Sequence, residues 1–222
     1  MTETNPAYVH GTDPDEQRRL SALNDLMNER CLAELKVVAG ERVLDFGCGL
    51  GQLSRAMARH SGVRVVGIEA SERQIAEGRR QAEAAGESGR VVIADDDHDI
   101  LRAWPEPAGL ERVWRAYIRT YERAGQDPYV GRRLTSLLHA AGAAPVRNTW
   151  VWFGGCSGDA TFTPLVENLA RVLDGASTSI VATGLVDDAE VASTIAAIRM
   201  WATRPDSALW YAMAWAEGVR LA

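Results

Sequence analysis

The sequence predicts an α/β fold: a doubly wound, mostly parallel sheet of about five strands, preceded by a long helix and followed by a helical insertion. Three observations carry this prediction. Short, nearly all-apolar runs alternate with segments of helical period between residues 42 and 95, the pattern of strands covered on both faces. A cluster of glycines closes the first of these runs, where a strand turns sharply into a helix. Beyond Asp99 helical spacing dominates, until aromatic-rich apolar runs return at 146–153 and 208–215.

Taken in order, residues 1–14 are rich in Pro, Gly, Thr and Asn and read as an irregular lead-in. Pro14 and Glu16 then mark a helix start. Leu20, Leu23, Leu26, Met27, Leu32 and Leu35 continue it at helical spacing over 15–39. Strands follow at 42–46, 64–69 and 90–95, separated by helices at 50–60 and 71–85. Later helices are expected at 110–124, 130–141, 163–173 and 188–201. The last strand, 208–215, is expected beside 146–153, with the helical residues between them as an insertion. The chain reads as one domain: 1–39 leading in, 40–95 as the strand–helix core, and 96–222 as a helical side with a final strand pair.

Bulk chemistry narrows the function. Thirty acidic residues against 24 Lys and Arg give a formal net charge of -6. No basic run is present, which disfavours a nucleic-acid partner. No run approaches the roughly 20 apolar residues of a membrane span. Three distant cysteines, Cys31, Cys48 and Cys156, form no CxxC pair, which suits a reducing, cytoplasmic setting.

The informative segment runs from Val43 to Gly51, VLDFGCGLG. Its glycines let a ligand approach the backbone, and the amides that open the next helix suit an anionic group. The spacing is G-x-G-x-G, whereas the dinucleotide fingerprint is G-x-G-x-x-G. Asp45, two residues before the first glycine, would repel a pyrophosphate but pair with an ammonium group. Glu69, 18 residues past Gly51, closes the second strand, where a carboxylate suits two ribose hydroxyls.

VLDFGCGLGQLS followed by VVGIEAS resembles motif I and the next acidic motif of class I S-adenosylmethionine-dependent methyltransferases. The resemblance covers residues 40–85 and implies a Rossmann-like fold and S-adenosylmethionine as cofactor. By it, Asp45, Gly47, Cys48, Gly49 and Gly51 surround the methionine portion, with Cys48 as a small filler. Glu69, followed by Ala70, holds the ribose. The stretch 8–11 with helix 15–39 resembles a lid that would lay Tyr8 on the cofactor. The implied activity is methyl transfer to a small-molecule acceptor; no side chain is singled out as catalytic, because the sulfonium itself supplies the electrophile.

The family sheet has strand order 3-2-1-4-5-7-6. Only 21 residues, 70–90, separate Glu69 from Val91, enough for one helix and its turns. The strand 90–95 therefore resembles the family's fifth, with the third and fourth absent and on the order of 50 residues missing. It is expected beside strand 42–46, or else beside 64–69. A shortened, non-catalytic relative, with a homodimer covering exposed sheet, is the rival reading, and a nicotinamide-dependent dehydrogenase is third.

The run Asp95-Asp96-Asp97-His98-Asp99 offers hard oxygens and an imidazole. Consecutive residues at a strand tip point apart, so a solvated strand end at the cleft mouth is expected, and no metal site. No histidine is singled out as a base. Seven tryptophans, Trp104, Trp114, Trp150, Trp152, Trp201, Trp210 and Trp215, are expected mostly in the core.

Overall fold

The computed structural model describes residues 14–46, 52–59, 63–68 and 90–220. The first helix, α1 (Pro14–Leu35), leads into β1 (Arg42–Phe46), α2 (Gln52–Ala58) and β2 (Arg64–Ile68). Then come β3 (Arg90–Asp96), a 3-10 turn at His98–Ile100, β4 (Arg102–Trp104) and α3 (Leu110–Arg123). A second 3-10 turn, Val130–Arg133, precedes α4 (Leu134–Ala140) and the long β5 (Ala143–Cys156). Helices α5 (Phe162–Gly175), α6 (Ser177–Ala182) and α7 (Asp188–Trp201) separate it from β6 (Ala208–Arg220). The expected helix at 71–85 lies outside the described residues.

The fold is mixed α/β. β1 and β2 pair in parallel, Arg42 opposite Arg64 through Phe46 opposite Ile68. β6 is the hub of a second, four-stranded sheet, with β3, β4 and β5 each antiparallel to it. Those three strands therefore run parallel to one another and β6 alone is reversed. The expected pairing of the last strand with 146–153 is present, and α5, α6 and α7 form the insertion between them.

The placement of strand 90–95 is corrected. It lies beside neither β1 nor β2 but beside β6, with Arg90 opposite Val219 and Asp96 opposite Met213. The reason is the length of β6: 13 residues provide a complete ladder for both β3 and β5, satisfying backbone groups that a five-residue β1 could match only in part. β6 thus lies between β3 and β5.

Three apolar clusters hold these parts. The largest joins α3, α5, α6 and α7 around Val113, Phe162, Leu173, Ile180 and Ile198, with Leu209 of β6 beneath them. A second joins the β1–β2 layer to the larger sheet: Cys31 and Leu35 of α1 and Met57 of α2 pack with Val151, Phe153 and Trp215, with Val43, Val65 and Val92 alongside. The third places Leu134 and Leu138 of α4 on Ala214 and Ala216, the opposite face of β6. Side chains alternate across a strand, so Tyr211, Met213 and Trp215 face α1 while Ala212, Ala214 and Ala216 face away.

Helix α1 is fastened by polar contacts along its length. The Arg19 guanidinium donates to Asn168 Oδ1 at 2.9 Å, Arg30 donates to the carbonyl of Trp152 at 2.6 Å, and Glu34 pairs with Arg147. Core packing holds for Trp201 and Trp215, at 5% and 2% exposed. It fails for Trp104, Trp152 and Trp210, which are exposed.

Candidate functional site

Asp45 lies in β1, half-buried, directly opposite Gly67 of β2. It stands next to the last residue of a parallel strand, the end at which open α/β sheets take ligands. Gly47, Cys48, Gly49, Gly51, Glu69, Ala70 and Tyr8 lie outside the described residues. Asp45 is thus the one expected cofactor residue whose placement is described.

The carboxyl end of β3 is built in more detail. Its five polar residues diverge. Asp97 is 4% exposed and takes both prongs of Arg132, with Nε at 2.6 Å from Oδ2 and Nη2 at 2.7 Å from Oδ1. Such a fork is among the stronger protein hydrogen-bond arrangements, and it raises the Arg132 guanidinium above its ordinary value. Asp97 Oδ1 also accepts from the Asp99 amide, capping the 3-10 turn. Asp95 and Asp99 are open to solvent.

His98 turns inward. It is 7% exposed, and its backbone is fixed from two sides: its amide donates to the Pro128 carbonyl at 3.1 Å, and its carbonyl accepts from Trp114 Nε1 at 2.7 Å. The ring sits among the α3 aromatics, 4.7 Å from the Tyr121 centroid, 5.6 Å from Tyr117 and 5.8 Å from Trp114. Those three residues share one helix face by their spacing of three and four. Tyr117 and Tyr121 join their hydroxyls at 2.8 Å.

From β6, the Tyr211 hydroxyl lies 3.1 Å from His98 Nδ1 and hydrogen-bonds the Asp96 side chain. Asp96 and Tyr211 share a sheet face because Asp96 pairs with Met213, two residues further along β6. Burial pulls the His98 imidazolium down to about 4, against the opposing pull of Asp95 and Asp97. Burial also raises the Asp96 carboxyl, while the bond from Tyr211 lowers it. Around neutral pH the imidazole is therefore uncharged.

This cluster is not legible in the sequence, because its members lie 98, 117, 121 and 211 residues along the chain. The available signal was the i, i+3, i+7 run of Trp114, Tyr117 and Tyr121 on one helix. Among the described residues no three metal-ligating side chains converge, and no helix is long and apolar enough to cross a membrane.

A family model, mycolic acid cyclopropane synthetase, matches residues 13–105. Methyltransferase GfsG of Streptomyces halstedii is 30% identical over 114 residues, 51% of this chain and 40% of that protein. The 23S rRNA (uracil(1939)-C(5))-methyltransferase RlmD of Hahella chejuensis is 36% identical over 110 residues, 48% of this chain and 23% of the other. The chain spans less than half the length of these two relatives. Among solved structures, a SAM-dependent methyltransferase from Thiobacillus denitrificans, in complex with S-adenosylhomocysteine, is 15% identical and covers 98% of this chain and 93% of its own, with a TM-score of 0.32.

Proposed function

We propose that this chain is a class I S-adenosylmethionine-dependent methyltransferase that methylates a small-molecule acceptor, a reading supported by the family match over residues 13–105. S-adenosylmethionine is the family's cofactor. Asp45 would hold its ammonium group, with the backbone of Gly47, Cys48, Gly49 and Gly51 around the methionine portion. Glu69 and Ala70 would meet the ribose, and Tyr8 would cover the site. Bound there, the sulfonium supplies an electrophilic methyl group. The protein's own work is alignment of the acceptor and exclusion of water.

The observation that carries this reading is the position of Asp45, one residue before the end of a parallel strand and opposite Gly67, within the matched segment. Calorimetry with S-adenosylmethionine and S-adenosylhomocysteine tests it: micromolar binding of both is expected, and binding of neither refutes it. A small-molecule acceptor is supported by the formal charge of -6, which works against the polyanion that one relative modifies by its name. Retention of ribosomal RNA on a filter at physiological salt would refute that choice. The low cysteine content, three residues with no CxxC spacing, supports a cytoplasmic location.

A second reading, a non-catalytic relative, is favoured by one feature. Leu44 of β1 and Val91 of β3 are 37% and 41% exposed, although strands of a doubly wound sheet bury both faces. Among the described residues no strand bridges β1 and β3. On this reading a second copy covers the exposed apolar surface, and light scattering would detect the dimer.

A further inference from the structure

We infer that the hollow between α3, the first 3-10 turn and the α6–α7 loop binds a small zwitterion, an amino acid with an apolar side chain. The site is independent of methyl transfer and shares no residue with the expected cofactor end.

The hollow has a volume of about 300 Å³. That is the small end of ligand sites, suited to one amino acid rather than a nucleotide. Its base is a strip of α3: Arg115, Ile118, Arg119 and Glu122 stand on one helix face by their spacing of three and four. Asp99 of the 3-10 turn, Tyr129 and Leu185 close the sides. Ile118, 6% exposed, supplies an apolar floor, and Leu185, 50% exposed, leaves an apolar side chain open to water at the rim.

The charges around this floor are sorted along the helix. Arg115 and Arg119 lie towards the amino end of the strip, and Glu122 stands about 10 Å beyond Arg115 along the axis. Burial, and then the Glu122 and Asp99 carboxylates, hold the Tyr129 phenol above its ordinary value against the pull of Arg132, so both carboxylates bear on one spot. Two arginines four residues apart on a helix repel each other, and a ligand carboxylate laid between them relieves that repulsion. The end where Glu122 and Asp99 meet suits an ammonium group. Two cations and two anions leave the described lining with no net charge. Such a lining works against a polyanion and favours a ligand carrying one charge of each sign.

The walls are held in place by contacts of their own. Arg115 Nη2 lies 2.6 Å from Glu111 Oε1, Arg119 pairs with Glu122, and Arg132 Nη2 lies 3.3 Å from Asp99 Oδ2. Arg132 is itself forked onto Asp97 and lies over the Tyr129 ring, 4.7 Å from its centroid. Leu185 is pinned at its backbone: its carbonyl accepts from Arg112 Nη2 at 3.0 Å, and its amide donates to Thr183 Oγ1 at 3.3 Å. A guanidinium has five N–H donors and a carboxylate about four acceptor sites, so these pairs leave capacity at both ends for a ligand.

Three probes share one phenyl ring: L-phenylalanine carries both charges, 3-phenylpropanoate only the carboxylate, and phenethylamine only the ammonium. Calorimetry on the full chain is expected to show phenylalanine bound roughly tenfold or more tightly than either singly charged probe, the worth of one charge-assisted hydrogen bond. Arg115→Met should weaken phenylalanine and phenylpropanoate roughly tenfold and spare phenethylamine. Glu122→Gln should weaken phenylalanine and phenethylamine and spare phenylpropanoate. Amide resonances of Ile118 and Leu185 should shift as phenylalanine is added. Equal affinity for the three probes, no binding of phenylalanine at about 10 mM, or shifts confined to other residues overturns the proposal. A variant that weakens all three probes alike also overturns it, since the loss would then be one of shape and not of a single charge.

Discussion

Replacing Arg147 with methionine should destabilise the protein by about 2 kcal/mol. Arg147 on β5 donates from Nη1 to Glu217 Oε1 at 2.6 Å, and the same oxygen accepts from Trp215 Nε1 at 3.0 Å. Its other prong pairs with Glu34 of α1. The Glu217 side chain is 9% exposed, so removal of Arg147 takes a charged partner from an enclosed carboxylate. Breaking a fully buried pair costs roughly 3–5 kcal/mol. Arg147 is itself 35% exposed, and solvent screening reduces the figure to about 2. Glu217→Gln keeps an acceptor for Trp215 and should cost about 1 kcal/mol. Urea unfolding of both single variants and the double variant gives the coupling, expected at about 1 kcal/mol or more. Single costs that add to the double within about 0.5 kcal/mol would show that the pair does not act as a unit.

Asp45→Asn should weaken S-adenosylhomocysteine roughly 10- to 100-fold by calorimetry, the worth of a hydrogen bond to a charged group. An unchanged affinity would remove Asp45 from the site. His98 titrates near 4 when folded against 6.5 as the ordinary value, so the unfolded chain binds more protons between those limits. The associated stability is full above pH 6.5 and falls by up to about 3 kcal/mol as the pH drops through 6.5 towards 4. Urea midpoints across that window should show the slope, and His98→Phe should flatten it. Gly131→Ala should cost about 1–3 kcal/mol, because the new Cβ would stand 2.9 Å from the Asp96 backbone and from Ala214 Cβ. A neutral result there would mean that the second 3-10 turn does not set the position of the Arg132 fork.

The parts of this fold legible in the sequence are those encoded over a few neighbouring residues. Strand 42–46 and helix 52–58 announce themselves through an apolar run and helical spacing. Strand β6 was legible through its aromatic content, although the structure extends it to Arg220. The pairing of β3 was not legible, because register is decided by which distant strand offers a full ladder, and nothing near residue 90 encodes that choice. The short β4 and α6 also escaped notice, since three and six residues hold too little periodicity. Of the candidate site, Asp45 was legible from its motif. The box around His98 was not, because a local reading of Asp95 to Asp99 sees only charge. The inward turn of one residue depends on α3 and β6 arriving from elsewhere in the chain.

The uneven distribution of tryptophan gives the molecule a built-in optical reporter. Trp104, Trp152 and Trp210 already stand in water, so native fluorescence should be partly red-shifted and open to quenching by iodide. The blue component belongs to Trp201 and Trp215, one inside the helical insertion and the other beneath α1. Its disappearance during unfolding would follow those two regions, while the quenchable fraction would report whatever comes to rest on the outer face of the sheet.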